Sequence, residues 1–181
     1  VLGVCGGCQM LGTEIRDPEG IETATAATAG LGLLPFFTQF EPTKVTAQVR
    51  AVPATASFLP ESVAAEPAFA AYEIHMGRLH ALPDARPAFA LRTRNGERAD
   101  ALDGAVSADG ATVGTLLHGL FENAAITRSL INHLRGRRGL PGFESLAPWS
   151  RQATYDRLAA HVREHFDEAL LQRLITPSQH A

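Results

Sequence analysis

The sequence predicts an α/β fold with a doubly wound sheet, an antiparallel extension and C-terminal helices. Three observations carry this. The chain opens on an apolar, β-prone run, Val1 to Val4, that turns through Gly6 and Gly7 into the helix formers Gln9, Met10 and Leu11. Its middle alternates with period two, most clearly over Lys44 to Val52. Its last third has helical periodicity from Ala124 onward.

Taken in order, the opening strand and turn lead into a short helix expected to run to about Ile15. Asp17-Pro18-Glu19-Gly20 is a turn by its Pro and Gly. Ile21 to Ala29, rich in Ala and Thr, is expected to be a mobile surface loop. Gly30 to Pro35 is compact and apolar, and its glycines and proline bar a helix. Phe36 to Phe40 and Lys44 to Val52 read as strands. In the second, Val45, Ala47, Val49 and Ala51 share one face and Lys44, Thr46, Gln48 and Arg50 the other, the mark of a half-exposed antiparallel strand. Pro53 to Pro67 reads as a loop. Ala71 to Arg78 and Phe89 to Thr93 are strands, and Asn95-Gly96 is a hairpin signal joining the latter to Asp100–Ser107. Thr112 to Leu117 is a strand ending in His118-Gly119. Asn123 is the expected N-cap of a helix over Ala124 to Arg135, with Ile126, Leu130, Ile131 and Leu134 on its apolar stripe. Pro141 to Pro148 is a linker. Helices follow over Ser150–Arg163 and Glu168–Ile175, with Leu158, Val162, Leu170, Leu171 and Leu174 as their expected core faces.

At 181 residues the chain is long enough for one domain with a proper core. It is 45% hydrophobic and 19% charged, ordinary for a globular protein. A net charge of −3 suggests no nucleic-acid partner. No apolar run approaches the roughly 20 residues of a membrane helix, so no membrane role is expected. No leader pattern precedes the opening turn, and the expected compartment is the reducing cytoplasm. The chain lacks an initiator Met and starts inside a strand that would normally have neighbours, so it is expected to be a fragment, inactive and marginally stable alone.

The chemistry concentrates at Cys5. A strand that turns sharply into a helix through glycines has the form of a nucleophile elbow, with Cys5 at its tip. A helix N-terminus favours thiolate and offers backbone N–H groups to an oxyanion. A buried core cysteine is the plain alternative. Cys5 and Cys8 could also be a redox pair or half a zinc site, but no second cysteine pair completes such a site, and no metal is expected. A thiol nucleophile needs a base. His118 stands at the carboxyl end of a strand, where sites in α/β sheets gather. His75 is the rival, since strand alternation puts it on one face with Glu73 as a possible base and orienter.

The pattern Gly3-x-Cys5-x-Gly7-x-Gln9 resembles the nucleophile motif of triad-type (class I) glutamine amidotransferases, whose fold is flavodoxin-like. The resemblance extends through Gly30–Pro35, Tyr72-Glu-Ile-His-Met-Gly77, Gly114-Thr-Leu-Leu-His-Gly-Leu-Phe-Glu122 and the Tyr155-Asp-Arg-Leu-Ala stretch. Over nearly the whole chain these are similar to the C-terminal amidotransferase half of the cobyric acid synthase family. It implies a glutamine amidotransferase domain over residues 1–145 and a helical extension of that domain over 146–181. It implies Cys5 as nucleophile, His118 as second catalytic residue, and Gly6 and Gln9 at the bound glutamine. The implied product is ammonia for ATP-dependent amidation of cobyrinic acid a,c-diamide carboxylates in cobalamin synthesis. ATP and Mg would bind a synthetase domain absent here, as would the corrinoid; this chain is expected to bind no cofactor. The sister enzyme that makes the a,c-diamide and a non-catalytic docking module are the alternatives. Three features depart from the pattern. Leu120 stands where the usual triad has Glu, with Glu122 two residues further on, so no third member is assigned. Cys8 replaces a common Tyr. No Gly-x-x-x-x-Gly-Lys-Ser/Thr phosphate loop occurs.

Overall fold

A computed structural model describes residues 1–55, 57, 68–146 and 150–175, except for the side chains of Glu168 and Leu171. Most of the expected 53–67 loop, the end of the 141–148 linker and Leu171 as a core residue therefore lie outside the described residues. The chain divides into two compact units, Val1–Ala147 and Pro148–Ala181.

Among the described residues, the first unit is built on three sheets. β1 (Leu2–Val4) pairs in parallel with β11 (Val113–Thr115), which pairs antiparallel with β10 (Ala105–Val106). Between β1 and the rest comes α1 (Gly6–Leu11). This helix lies against β1 because Gly3 has no side chain. A Cβ there would stand 2.6 Å from the Gly7 carbonyl oxygen and from Leu11 Cδ1. α1 is shorter than the expected run to Ile15. Gly12 takes an extended conformation, and Thr13 N–H is given to the Phe36 carbonyl at 2.8 Å. Glu14 to Arg16 then form β2, captured between β3 (Ala27–Ala29) and β4 (Phe36–Gln39). Sheet pairing here overrides the helix propensity of Glu and Arg.

The expected mobile loop 21–29 is likewise corrected, since its end is β3. Its start is held by the Asp17 carboxylate, which accepts N–H bonds from Ile21, Glu22 and Thr23 at 2.7 to 2.8 Å. Burial opposes ionisation of Asp17, but those bonds outweigh it and hold the carboxyl below its usual range.

The antiparallel extension is a five-stranded sheet in the order β12-β6-β5-β8-β9. β5 (Val45–Pro53) is central and buries Ala47, Val49 and Ala51, the face that alternation predicts. β8 (Phe89–Arg94) turns at Asn95-Gly96 into β9 (Glu97–Asp103), and both turn residues have positive φ, as that hairpin requires.

Three expected strands are each broken in two. Asp100–Ser107 belongs first to β9 and then, past Gly104 with φ of 66°, to β10, which pairs with β11 instead of β8. Ala71–Arg78 is β6 (Phe69–His75) followed by β7 (Arg78–Ala81), which joins β4 in the sheet of β2 and β3. The break falls at Gly77, with φ of 79°, a left-handed bend that suits glycine. Thr112–Leu117 is β11 followed by β12 (Leu117–His118), which leaves the β1 sheet and pairs antiparallel with β6.

A 3-10 turn at Leu120–Glu122 leads to α2 (Ala124–Gly136). Asn123 holds the N-cap position but makes no capping bond. Its amide instead donates to the Gly119 and Ala70 carbonyls at 2.9 and 3.0 Å, tying the helix start to β6. Ile126 is buried, while Leu134, expected inside, is exposed.

The second unit holds α3 (Arg151–His165), capped by Ser150 Oγ accepting Ala153 N–H at 3.1 Å, and α4 (Glu168–Ile175). The expected core faces are not covered among the described residues. No α3 residue is buried, and Leu158, Leu170 and Leu174 are exposed.

The described residues of the first unit form two apolar clusters. One joins the inner faces of β5, β6 and β8 to Val113, Leu117 and Ile126. The other gathers Cys8, Leu11, Leu34, Phe36, Ala105 and Leu116 around α1.

Candidate active site

The sequence places a cysteine where the chain must leave a strand and enter a helix without room for an ordinary turn. Cys5 accordingly adopts φ 53° and ψ −117°, a conformation that a residue with a side chain rarely holds. Two anchors maintain it. Cys5 N–H donates to the Thr115 carbonyl at 2.9 Å, and Gln9 N–H returns to the Cys5 carbonyl at 3.0 Å. The side chain is half-buried, and Sγ lies 3.8 Å from the Ile74 carbonyl oxygen. Gly6 and Gly7 are exposed at the first turn of α1, where backbone N–H groups lack helical partners.

Gln9 is buried, and its Nε2 donates to the Met76 carbonyl at 3.0 Å. The Cys5 thiol and the Gln9 amide thus engage alternate carbonyls of one strand end. β12 pairs with β6 only at Tyr72 and Glu73. Beyond that point the elbow takes over along the β6 edge.

His118 approaches the same stretch of β6 through Tyr72. The two rings stack with centroids 5.1 Å apart and planes 13° from parallel. His118 Nε2 is buried with no hydrogen-bond partner among the described residues. It is a ring with one nitrogen uncommitted, supported from behind by an aromatic face.

His75 occupies the opposite face of β6. Along this strand Ala71, Glu73 and His75 are buried, while Tyr72 and Ile74 are exposed. His75 Nδ1–H donates to the Gly77 carbonyl at 3.0 Å, and Nε2 stands 3.8 Å from Glu73 Oε1. The alternation argument correctly puts the two on one face. Glu73, however, is gripped by Arg94 at 2.8 and 2.9 Å. Burial raises the Glu73 carboxyl, but the neighbouring His75 ring and the Arg94 guanidinium prevail and keep it below its usual range. Glu73, His75, Arg94 and Asp103 border a cavity of about 430 Å³.

Cys8 is buried against Gly114, and burial, with the Asp103 carboxylate nearby, pushes its thiol well above the ordinary thiol range. Both cysteines are free. Among the described residues no cluster of three or more His, Cys, Asp or Glu could hold a metal ion. No helix of the described residues is long and apolar enough to cross a membrane.

Sequence reasoning missed Asp103. It is buried at the end of β9, accepts the Thr115 hydroxyl proton, and takes Leu116 N–H at 3.0 Å. A signal existed. Alternating positions 99, 101 and 103 face inward along β9, so a carboxylate falls in phase with two alanines.

A half-buried thiol on a strained strand-to-helix elbow, with an imidazole beside the same strand, gives this α/β domain a candidate active site. Residues 1–126 match the family model described as CobB/CobQ-like glutamine amidotransferase domain, and the chain belongs to that family. It is 51% identical to the cobyric acid synthase of Sorangium cellulosum (strain So ce56), over 96% of this chain and 35% of that protein. It is 38% identical to the cobyric acid synthase of Syntrophobacter fumaroxidans, over 97% of this chain and 34% of the relative. It is 40% identical to that of Thermoanaerobacter sp. (strain X514), over 92% and 33%. The chain therefore spans about a third of the length of these relatives. Among solved structures it is similar to a chain in the structure of PurLQS from Thermotoga maritima, with a TM-score of 0.51 and 15% identity over 74% of this chain and 61% of that one. That likeness concerns the fold alone.

Proposed function

We propose that this domain hydrolyses glutamine, with Cys5 as nucleophile and His118 as proton carrier. Cys5 thiolate attacks the side-chain amide carbon, and backbone N–H groups near Gly6 steady the tetrahedral oxyanion. His118 delivers a proton to the departing nitrogen, and ammonia leaves. Water then attacks the γ-glutamyl thioester and releases glutamate. Gln9 holds the elbow against β6 and so shapes the pocket for the substrate side chain. The observation that carries this reading is the strained Cys5 elbow facing the same strand end as the His118 ring.

In the whole protein, the ammonia serves amidation of side-chain carboxylates of (adenosyl)cobyrinic acid a,c-diamide, in the cytoplasm. ATP and Mg belong to a synthetase portion that also holds the corrinoid. Similarity to several cobyric acid synthases supports this over the a,c-diamide synthase.

The choice of histidine is testable by glutaminase turnover in the full gene product. His118→Asn should lower it by about 10²-fold or more, the scale of a lost acid–base group. His75→Asn, on the far face of β6, should cost far less. The reverse ranking in two folded variants would give the proton to His75.

A further inference from the structure

The junction between β11 and β12 belongs to two sheets at once. Before Leu116 the chain pairs with β1; after it, the chain pairs with β6. Thr115, on the first side, supplies the carbonyl that anchors Cys5 N–H at 2.9 Å. His118 lies three residues further, on the second side. Whatever fixes this junction therefore fixes the two groups relative to each other.

One carboxylate and one hydroxyl do so. Asp103 Oδ2 accepts the Thr115 Oγ1 proton, and Asp103 Oδ1 accepts Leu116 N–H at 3.0 Å. Thr115 Oγ1 in turn accepts Leu117 N–H at 3.0 Å. Three consecutive residues are thereby held by bonds outside the β ladders. Thr115 and Leu117 are fully buried and Asp103 nearly so, which leaves no water to replace a lost partner.

The geometry points to Asp103, acting through the Thr115 hydroxyl, as a positioning residue for thiol chemistry at Cys5. It touches neither the thiol nor the imidazole; it sets the angle between the strand that anchors one and the strand that carries the other. This rests on the reading of Cys5 and His118 as the reacting pair.

Ionised Asp103 accepts from both the Thr115 hydroxyl and Leu116 N–H. Protonated on Oδ2, it would instead donate to the second lone pair of Thr115 Oγ1, reversing that bond and taking away the acceptor of the hydroxyl proton. Glu73 and His75 of β6, Cys8 of α1 and, through Glu73, Arg94 of β8 are the titratable and charged groups around it. Burial pushes Asp103 up to about 6, with its hydrogen bonds opposing. The clamp should therefore loosen as the pH falls below that value.

The test uses the full gene product and two readouts: iodoacetamide alkylation of Cys5, located by peptide mapping, and steady-state glutamine hydrolysis. Both are followed from about pH 5 to about pH 8. Thr115→Val keeps the volume and removes the hydroxyl; Thr115→Ser keeps the hydroxyl; Asp103→Asn keeps the shape and removes the charge. Thr115→Val and Asp103→Asn should slow Cys5 alkylation and lower kcat about tenfold or more, with KM nearly unchanged, as misplacement of reacting groups predicts. Thr115→Ser should stay within about twofold of wild type, and Asp103→Asn should lose the acid limb near pH 6. Wild-type rates and pH profiles in both damaging variants would overturn the inference. So would loss of folding in both, which would make the pair structural only. Wild-type protein that fails to hydrolyse glutamine yet shows the alkylation pattern would sink the glutamine reading and leave this one standing.

Discussion

Cys5 and Cys8 are both thiols of one short turn and helix, and burial separates them. Cys5 is half-exposed on the strained elbow, whereas burial drives Cys8 up and keeps it protonated. Two aspartates differ in the same way, with opposite consequences for stability. Burial opposes ionisation of Asp17, but the Glu22, Ile21 and Thr23 N–H groups hold its carboxyl below the ordinary value of 3.8, so its contribution is present above that value and is lost as the pH falls. Asp103 is raised from 3.8 to about 6 by burial, so the folded state binds its proton more tightly. Its contribution is present below 3.8 and is lost as the pH rises toward 6. Denaturant unfolding of wild type and Asp103→Asn across that window should show a falling contribution in wild type that the variant lacks. Parallel curves would mean that Asp103 titrates alike in both states.

At the scale of elements, the elbow depends on close packing of α1 on β1. Gly3→Ala puts a Cβ 2.6 Å from the Gly7 carbonyl oxygen, a backbone atom that cannot swing aside. It should cost about 1–3 kcal/mol in chemical denaturation and impair Cys5 reactivity. Unchanged stability would show that α1 can lift off β1 freely. The elbow was legible in the sequence because glycines, a cysteine and helix formers within a dozen residues suffice to define it. The β5 alternation and the Asn95-Gly96 turn were legible for the same reason: each is local. The breaks at Gly77 and Leu116 were not, because each is decided by which distant strand captures the chain. β2 was missed for the same cause, since β3 and β4 take its backbone. Asn123 stands at the cap position that its residue type predicts but does not cap, because the Ala70 carbonyl that draws its amide lies 53 residues away. The Asp103–Thr115 contact spans 12 residues and crosses two turns, so only the inward phase of β9 hinted at it.

Across the first unit, a small parallel pair carries Cys5 at its end, and an antiparallel sheet beside it carries His118. The site exists where β1, β11, β12 and β6 meet. This arrangement explains why the motif around Cys5 and the His118-Gly119 motif lie more than a hundred residues apart in the chain yet serve one strand end. On the proposed reading Cys5 only generates ammonia, so ammonia added from outside should replace it. The direct measurement is amidation of the corrinoid acceptor by the full gene product and its Cys5→Ala variant, with glutamine or with ammonium as the nitrogen source. The variant should lose glutamine-dependent amidation and retain ammonium-dependent amidation near the wild-type rate. Equal loss of both, or retention of both, would contradict the assignment of Cys5 as the nucleophile of a glutaminase.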